Sequence, residues 1–358
     1  MKHLMYSLLL ITTACRFASP ENANWELGPF TKPAVNPVLQ PIAQSKFFCP
    51  VRQDTVYWEE KDVFNPSAVV RDGKIFLLYR AEDKVGKHAG TSRLGLAISD
   101  DGAVFKRFPE PVFFPDHDFM NVYEWEGGVE DPRLVEDENG RYILTYTAYD
   151  GKTARLCVAT STDLMHWTKH GLAFGDGEYR DLWSKSGSIV TRQQGEKFIA
   201  EKISNHYVMY WGDTHLFLAY SEDLIHWTPL TDAEGNIIPV LSPREGMFDS
   251  DLVEPGPQGI LRDDGIWLLY NSRNIVSKGD NTLPDGNYAA GQALFDRNNP
   301  ERLLKRSSGY SLTPDQPFEI TGQVNNVCFA EALVWFNQRW MVYYGTADSK
   351  IAVATAGH

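Results

Sequence analysis

Apolar and aromatic runs of strand length recur along the chain, each approached through a polar turn carrying Gly or Asn. They stand at GKIFLLYRAED, GRYILTYTAYD, GEKFIAEKIS, DGIWLLYNS and NQRWMVYYGTAD. Short runs rich in β-branched and aromatic residues, bounded by turn residues, predict strands rather than helices. Most are followed by a second run and a polar hairpin, as in LGLAISDDGAVFKRF, LCVATSTDLMHWTKH and LFLAYSEDLIHWTPL. A serine opens each hairpin, at Ser99, Ser161 and Ser221, with spacings of 62 and 60 residues. Repeats of this length with several strands each predict propeller blades. Five such units over residues 46–358 give the expected architecture: an all-β, five-bladed β-propeller with an axial funnel.

The motif S-[TE]-D-L-x-H-W appears twice, at Ser161–Trp167 and Ser221–Trp227. His166-Trp167 and His226-Trp227 are chemically tempting. Their recurrence at one position of the repeat argues for a structural role, with the Asp closing the turn and the Trp wedged between sheets. Catalytic residues are expected instead where polar side chains break the repeat at inner-strand ends.

Outside the repeats the pattern changes. Residues 1–15, MKHLMYSLLLITTAC, combine a basic start with a short apolar stretch and read as an export signal. Small residues lead into Cys15, which resembles a lipoprotein processing site, so the protein is expected to be exported and held at a membrane only through an N-terminal lipid. Residues 16–45, rich in Pro and Asn, read as a tether and strap. No later apolar run is long enough to span a membrane. Cys49, Cys157 and Cys328 are widely spaced and read as small buried hydrophobes. A formal charge of −13 argues against nucleic acid as a partner. The aromatic content of 13% suits sheet packing and sugar stacking alike.

The densest cluster of chemistry is EWEGGVEDPRL, Glu124–Leu134. Pro132 disfavours the helical region at the preceding residue and is expected to hold Asp131 extended, with Arg133 on the same side and Glu130 opposite. Gly127 and Gly128 would let the loop approach a ligand. Other polar residues break the pattern at equivalent places. They are Asn65 in NPSAVV, Arg80 in LLYRAED, Glu201 and Lys202 in FIAEKIS, Glu254 in DLVEPGP and Asp348 in YYGTAD. If the blades bring these together, the result is a funnel lined by carboxylates and a few cations, which suits a carbohydrate. Neither a phosphate loop nor a metal-ligand cluster competes with it, so no cofactor or metal is expected.

The segments NPSAVV…LLYRAED, GGVEDPRL, FIAEKI, ERLLKRS, NVCFAEALV and YYGTADSKIAVA resemble family 130 of the glycoside hydrolases, from about residue 60 to the C-terminus. The resemblance implies a five-bladed propeller acting on β-mannosides. It implies Asp131 as the catalytic acid, acting on the glycosidic oxygen directly or through a sugar hydroxyl. Asn65, Arg80, Lys202 and Asp348 would hold the mannose, with Glu130 and Arg133 supporting the acid. Arg133 raises a difficulty, because a nearby cation lowers a carboxyl pKa whereas an acid needs it raised.

The family holds phosphorylases as well as hydrolases. A phosphorylase needs cations for phosphate, whereas an inverting hydrolase needs a second carboxylate to activate water. Where phosphorylases carry Gly-Ala-Gly before prolines, this chain has Val-Glu-Pro-Gly-Pro, which brings in Glu254. Where they tend to carry Tyr-His-Gly, it has Tyr270, Asn271 and Ser272. Glu254 is therefore the first candidate for the base and Glu201 the second, while Lys185 and Arg273 are cations that could still serve phosphate. Export also suits hydrolysis, since a sugar phosphate is useful only inside a cell. The expectation is an inverting exo-β-mannosidase on β-1,2-linked oligosaccharides, with a β-mannoside phosphorylase as the alternative and a non-cleaving glycan binder as a third reading.

Overall fold

The strand-forming runs pair with their chain neighbours as successive antiparallel sheets. The structure is a computed structural model, described here for residues 25–88 and 90–357. The export segment and Cys15 lie outside those residues. Asp62–Arg71, Lys74–Glu82, Ser92–Ser99 and Lys106–Arg107 form the first meander. Gly128–Glu136, Tyr142–Tyr149, Ala154–Ser161 and Thr168–Leu172 form the second. Further along, Gly265–Arg273 pairs with both Leu252–Pro255 and Gly259–Arg262, then with Tyr288–Phe295, which pairs with Leu303–Arg306. Cys328–Phe336, Arg339–Thr346 and Lys350–Ala356 close the chain. The described helices, Asn121–Glu124 and Pro317–Ile320, have four residues each, so the chain is all-β.

Middle strands such as Tyr142–Tyr149 and Ala154–Ser161 are buried along almost their whole length. That is why they read as continuous apolar runs instead of alternating ones. Their side chains pack between adjoining sheets: Val135, Ile143 and Val158 of one sheet share a cluster with Met209, Trp211 and Ala219 of the next. Trp227 belongs to the same cluster, and Trp167 packs edge-on to Phe113 with ring centroids 6.0 Å apart. Both tryptophans end the repeated motif, and its turn is built the same way each time. Asp163 Oδ1 accepts from the backbone N–H groups of Met165 and His166, and Asp223 Oδ1 from those of Ile225 and His226. Each histidine ring lies beside the same aspartate, at 2.7 and 2.8 Å. The repeated His-Trp pairs are turn caps and wedges.

The third unit departs from expectation. The sequence pattern predicts GEKFIAEKIS as its inner strand. Instead Lys197–Ala200 pairs with the far half of Ser188–Gln194, and the chain restarts at Lys202–Ile203 to pair with His206–Trp211. His206–Trp211 is the strand that runs beside the near half of Ser188–Gln194 and then pairs with Leu216–Ser221. Ile199 sits beside Glu136, the last residue of Gly128–Glu136. That places it about 16 Å along the strand from Asp131, at ~3.3 Å per residue.

The N-terminal segment finishes the last sheet. Thr31 and Leu39 bridge to Thr355 and Ile351 on the outer edge of Lys350–Ala356, where unpaired backbone would otherwise invite association. Lys32 anchors it: its Nζ reaches Glu319 at 2.7 Å, Asp315 at 2.9 Å and the Thr313 carbonyl at 2.7 Å. Glu319 is fully buried, so removing Lys32 leaves a buried carboxylate without its cation. Lys32→Ala is expected to lower stability by about 3 kcal/mol, read from the denaturant midpoint.

Candidate active site

The near ends of the first strands share one construction, a polar residue followed by Pro or Gly. It appears as Asn65-Pro66, Asp131-Pro132, Ser186-Gly187 and Glu254-Pro255. At the first two the ladder is broken by a bulge, between Phe64 and Pro66 and between Glu130 and Arg133. Asn65, Asp131 and Ser186 all have positive φ, at 47°, 48° and 55°, and Asp348 joins them at 49°. Pro132 excludes the right-handed region at Asp131, but the residue takes the left-handed one, which Asp and Asn tolerate better than most. The expected extended Asp131 is thus corrected. The bulge turns its carboxyl out of the strand's alternation and into a cavity.

That cavity, of about 170 Å3, is lined by Asn65, Arg80, Asp131, Lys185, Glu254 and Asp348, with Tyr288, Phe64, Val324, Val327 and Phe329 as an apolar wall. Asp131 is its most heavily bonded group. Its Oδ1 accepts from Asn65 Nδ2 at 2.7 Å and Arg80 Nη1 at 2.9 Å, and its Oδ2 lies 3.2 Å from Lys185 Nζ. Burial favours the neutral acid here, but Lys185, Arg80, the Asn65 amide and Arg133 outweigh it and hold the carboxyl well below the usual range. Arg80 also donates to Glu82 at 2.8 Å, to Glu130 at 2.9 Å and to Ser92 at 2.9 Å. Its guanidinium has no donor pair left over for a bidentate ligand.

The other carboxyls go the opposite way. Glu254 accepts a hydrogen bond from Ser186 Oγ, and burial pushes it up to about 7 although Lys185 opposes. Burial likewise pushes Glu130 and Asp348 up to about 7, against the pull of Arg80 in each case. Asp83 and Asp150, at the matching turns of earlier units, are tied to Arg93 and Arg155 at 2.6 and 2.8 Å. Asp348 accepts no hydrogen bond from the described residues and faces the cavity. Lys185 is kept protonated: burial would lower its pKa, but Asp131, Glu254 and Glu130 raise it further.

A model of family 130 of the glycoside hydrolases, described as β-1,4-mannooligosaccharide phosphorylase, matches residues 39–357. This chain belongs to that family. Among curated relatives, a 1,2-β-oligomannan phosphorylase of Thermoanaerobacter sp. (strain X514) is 31% identical, covering 89% of this chain and 94% of its own. A solved glycosyl hydrolase structure from Bacteroides ovatus is 46% identical with a TM-score of 0.91, covering 94% of this chain and 96% of that one. Another, 47% identical with the same TM-score and coverages, comes from work on family 130 hydrolases that target β-1,2-mannosidic linkages in Candida mannan.

Within this family-130 fold, Asn65, Arg80, Asp131, Lys185, Glu254 and Asp348 converge as expected, with Glu130 held against them by Arg80. Eight others do not line the cavity. Glu201 pairs with Arg192 at 3.2 Å and Lys202 is exposed, its Nζ 4.9 Å from the Tyr207 ring centroid. Both sit on the misassigned hairpin of the third unit. Tyr270 is fully buried, donating to Asp249 at 2.7 Å. Asn271 clamps the next sheet through both backbone groups of Ala330, at 2.9 and 2.7 Å. Arg133 points away from the cavity, donating to the carbonyls of Gly256 at 2.6 Å and Pro255 at 3.1 Å and to Glu331. Gly127 and Gly128 face no ligand: a Cβ on either would strike Tyr149 or the Ser92 backbone. Arg273 is bound to Asp251.

Ser186, Glu331 and the apolar wall went unassigned in the sequence. Ser186-Gly187 matches Asn65-Pro66, and Glu331 is the lone charge in the apolar strand CFAEALVWF. Both signals were present. Burial pushes Glu331 well above the usual carboxyl range, with Asp131 and Glu254 adding to the shift and Arg133 opposing it. Arg133→Met is expected to lose about 3–5 kcal/mol of stability in chemical unfolding, because it strands buried acceptors. The double variant Arg133→Met/Glu331→Leu should recover part of that loss.

Proposed function

We propose that this chain is a five-bladed β-propeller that hydrolyses β-mannosides, releasing one terminal mannose from β-1,2-linked oligosaccharides with inversion. The five successive sheets are taken as the blades. Export through residues 1–15, with Cys15 lipidated, is part of the proposal. The observation that carries the reading is the charge inventory of the cavity. Three carboxyl groups, Asp131, Glu254 and Asp348, face two cations, Arg80 and Lys185, and both cations are engaged by Asp131. Such a site has no uncommitted cation for phosphate, whereas Glu254 supplies what water attack needs.

In this reading Glu254 is the general base. A base raised to about 7 is well matched to neutral pH, being basic enough to take a proton and still ionised part of the time. Ser186 orients it. Asp131 is the acid, and Lys185, Arg80 and Asn65 hold it as an anion. Proton delivery therefore requires the bound mannoside to change its surroundings. Sugar hydroxyls that take over donors from Lys185 and Asn65 weaken the support for the charge, while displaced water strengthens the desolvation that opposes it. A hydroxyl lying between Asp131 and the glycosidic oxygen can relay the proton.

Phosphorolysis is the second reading, favoured by the names of curated relatives such as the Thermoanaerobacter enzyme. Incubation with β-1,2-mannobiose separates the two. Free mannose formed without phosphate is expected, and mannose 1-phosphate formed only with phosphate would overturn the hydrolase reading. Glu254→Gln is expected to lower kcat by about 10²–10⁴-fold while substrate affinity, measured by calorimetry, stays within a few-fold. The pH profile follows from the sign of the Glu254 shift. The base works only when ionised, so kcat should fall as pH drops through about 7. A rate that instead fell on raising pH through 7 would assign Glu254 the acid role.

A further inference from the structure

We infer that Trp183 is the stacking platform for the sugar on the leaving-group side of the scissile bond, an inference that rests on the mannoside reading of the cavity. Nine of the ten tryptophans are buried or partly buried, and Trp183 is the exception, 50% exposed. It is not loose. Its indole Nε1 donates to Asp213 Oδ2 at 2.7 Å, which fixes one edge of the ring. Leaving a large apolar ring in water is unfavourable, and holding it in place by a hydrogen bond removes the entropy that would otherwise be lost on binding.

Its location supplies the function. Trp183 lies two residues before Lys185, which reaches Asp131 at 3.2 Å. The backbone N–H of Gly212, next to Asp213, donates to the Lys185 carbonyl at 2.9 Å, and the N–H of Val253 donates to the Thr214 carbonyl at 3.2 Å. The Trp183–Asp213 latch therefore spans the rim between Lys185 and Glu254, outside the residues that line the cavity. A mannose buried in the cavity leaves the next sugar of the chain at that rim. Sugar rings present axial and equatorial C–H groups that stack on the electron-rich face of an indole. Trp183 would thus set affinity for the leaving sugar and take no part in bond cleavage.

The test compares two substrates in Trp183→Ala: β-1,2-mannobiose, which has a sugar beyond the bond, and β-mannosyl fluoride, which has none. The expected result is a roughly tenfold fall in kcat/KM on mannobiose, carried by KM, that exceeds any change on the fluoride severalfold. Trp183→Phe, which keeps a ring but lacks the Asp213 bond, should fall between. Equal losses on both substrates, or no loss on mannobiose, would overturn the inference. Calorimetry with β-1,2-mannotriose keeps this separate from the proposed reaction. Weaker trisaccharide binding by Trp183→Ala in a protein whose wild type cleaves no mannoside supports the platform while sinking the hydrolase. Unchanged trisaccharide binding sinks the platform whatever the reaction.

Discussion

The site depends on one buried guanidinium. Arg133 donates to the carbonyls of Pro255 and Gly256 and to Glu331, joining the strand that carries Asp131, the strand that carries Glu254 and the final sheet. Arg133 lies two residues after Asp131, and the carbonyls it binds belong to the first and second residues after Glu254. The separation of the two carboxyl groups is thereby set by a rigid, planar donor rather than by loops. A buried ion pair is weak evidence for stability, since desolvation offsets most of the attraction. For the proposed reaction its value is geometric, because an inverting pair needs a spacing that admits one water. Asn271 reinforces the same junction with two hydrogen bonds to Ala330.

Around this strut the backbone departs from ideal strand geometry at the residues that face the cavity. Asn65, Asp131, Ser186 and Asp348 occupy the left-handed region, at a cost of order 1–3 kcal/mol for each such residue. Tight packing maintains them. Gly345 is an instance, since a Cβ there would lie 2.7 Å from the Asn65 side-chain oxygen. The electrostatics are as uneven as the backbone. Lys185, Arg80 and the Asn65 amide converge on Asp131, whereas at Glu254, Glu130 and Asp348 burial outweighs the nearby cations and moves them toward neutrality. Environments that push neighbouring carboxyl groups apart are the usual basis for dividing acid and base roles.

Much of this was legible because the repeat is local. Strand runs, Ser-x-Asp turns and Pro after a polar residue are signals within ten residues, and they place Asn65, Arg80, Asp131, Glu254 and Asp348 at one end of the molecule. The errors share a different cause. Glu201 and Lys202 were placed by analogy with Arg80, but the third sheet inserts an extra hairpin before its true second strand, and periodicity cannot distinguish the two runs. Tyr270 and Asn271 lie on the correct strand but on its two opposite faces, where Tyr270 reaches Asp249 and Asn271 reaches Ala330 of the next sheet, so neither turns to the cavity at the strand end. Arg133 was read from alternation that the bulge at Asp131 abolishes. Pro132 signalled an unusual residue, and the choice between extended and left-handed backbone was made by tertiary packing.

The charge balance of the cavity also bears on which nucleophile this scaffold accepts. Phosphate would bring up to two negative charges into a cavity whose cations already serve Asp131 and whose Glu254 gains charge as pH rises. Binding it would require either a new cation or the turning of Lys185 from Asp131, 3.2 Å away, toward the phosphate. Water, being neutral, needs no cation to bind. It needs one carboxylate of suitable basicity, held by a neutral donor, and the Ser186–Glu254 pair meets that description. On this argument the choice between the two reactions lies less in any single catalytic residue than in whether the cavity holds a positive charge left uncommitted.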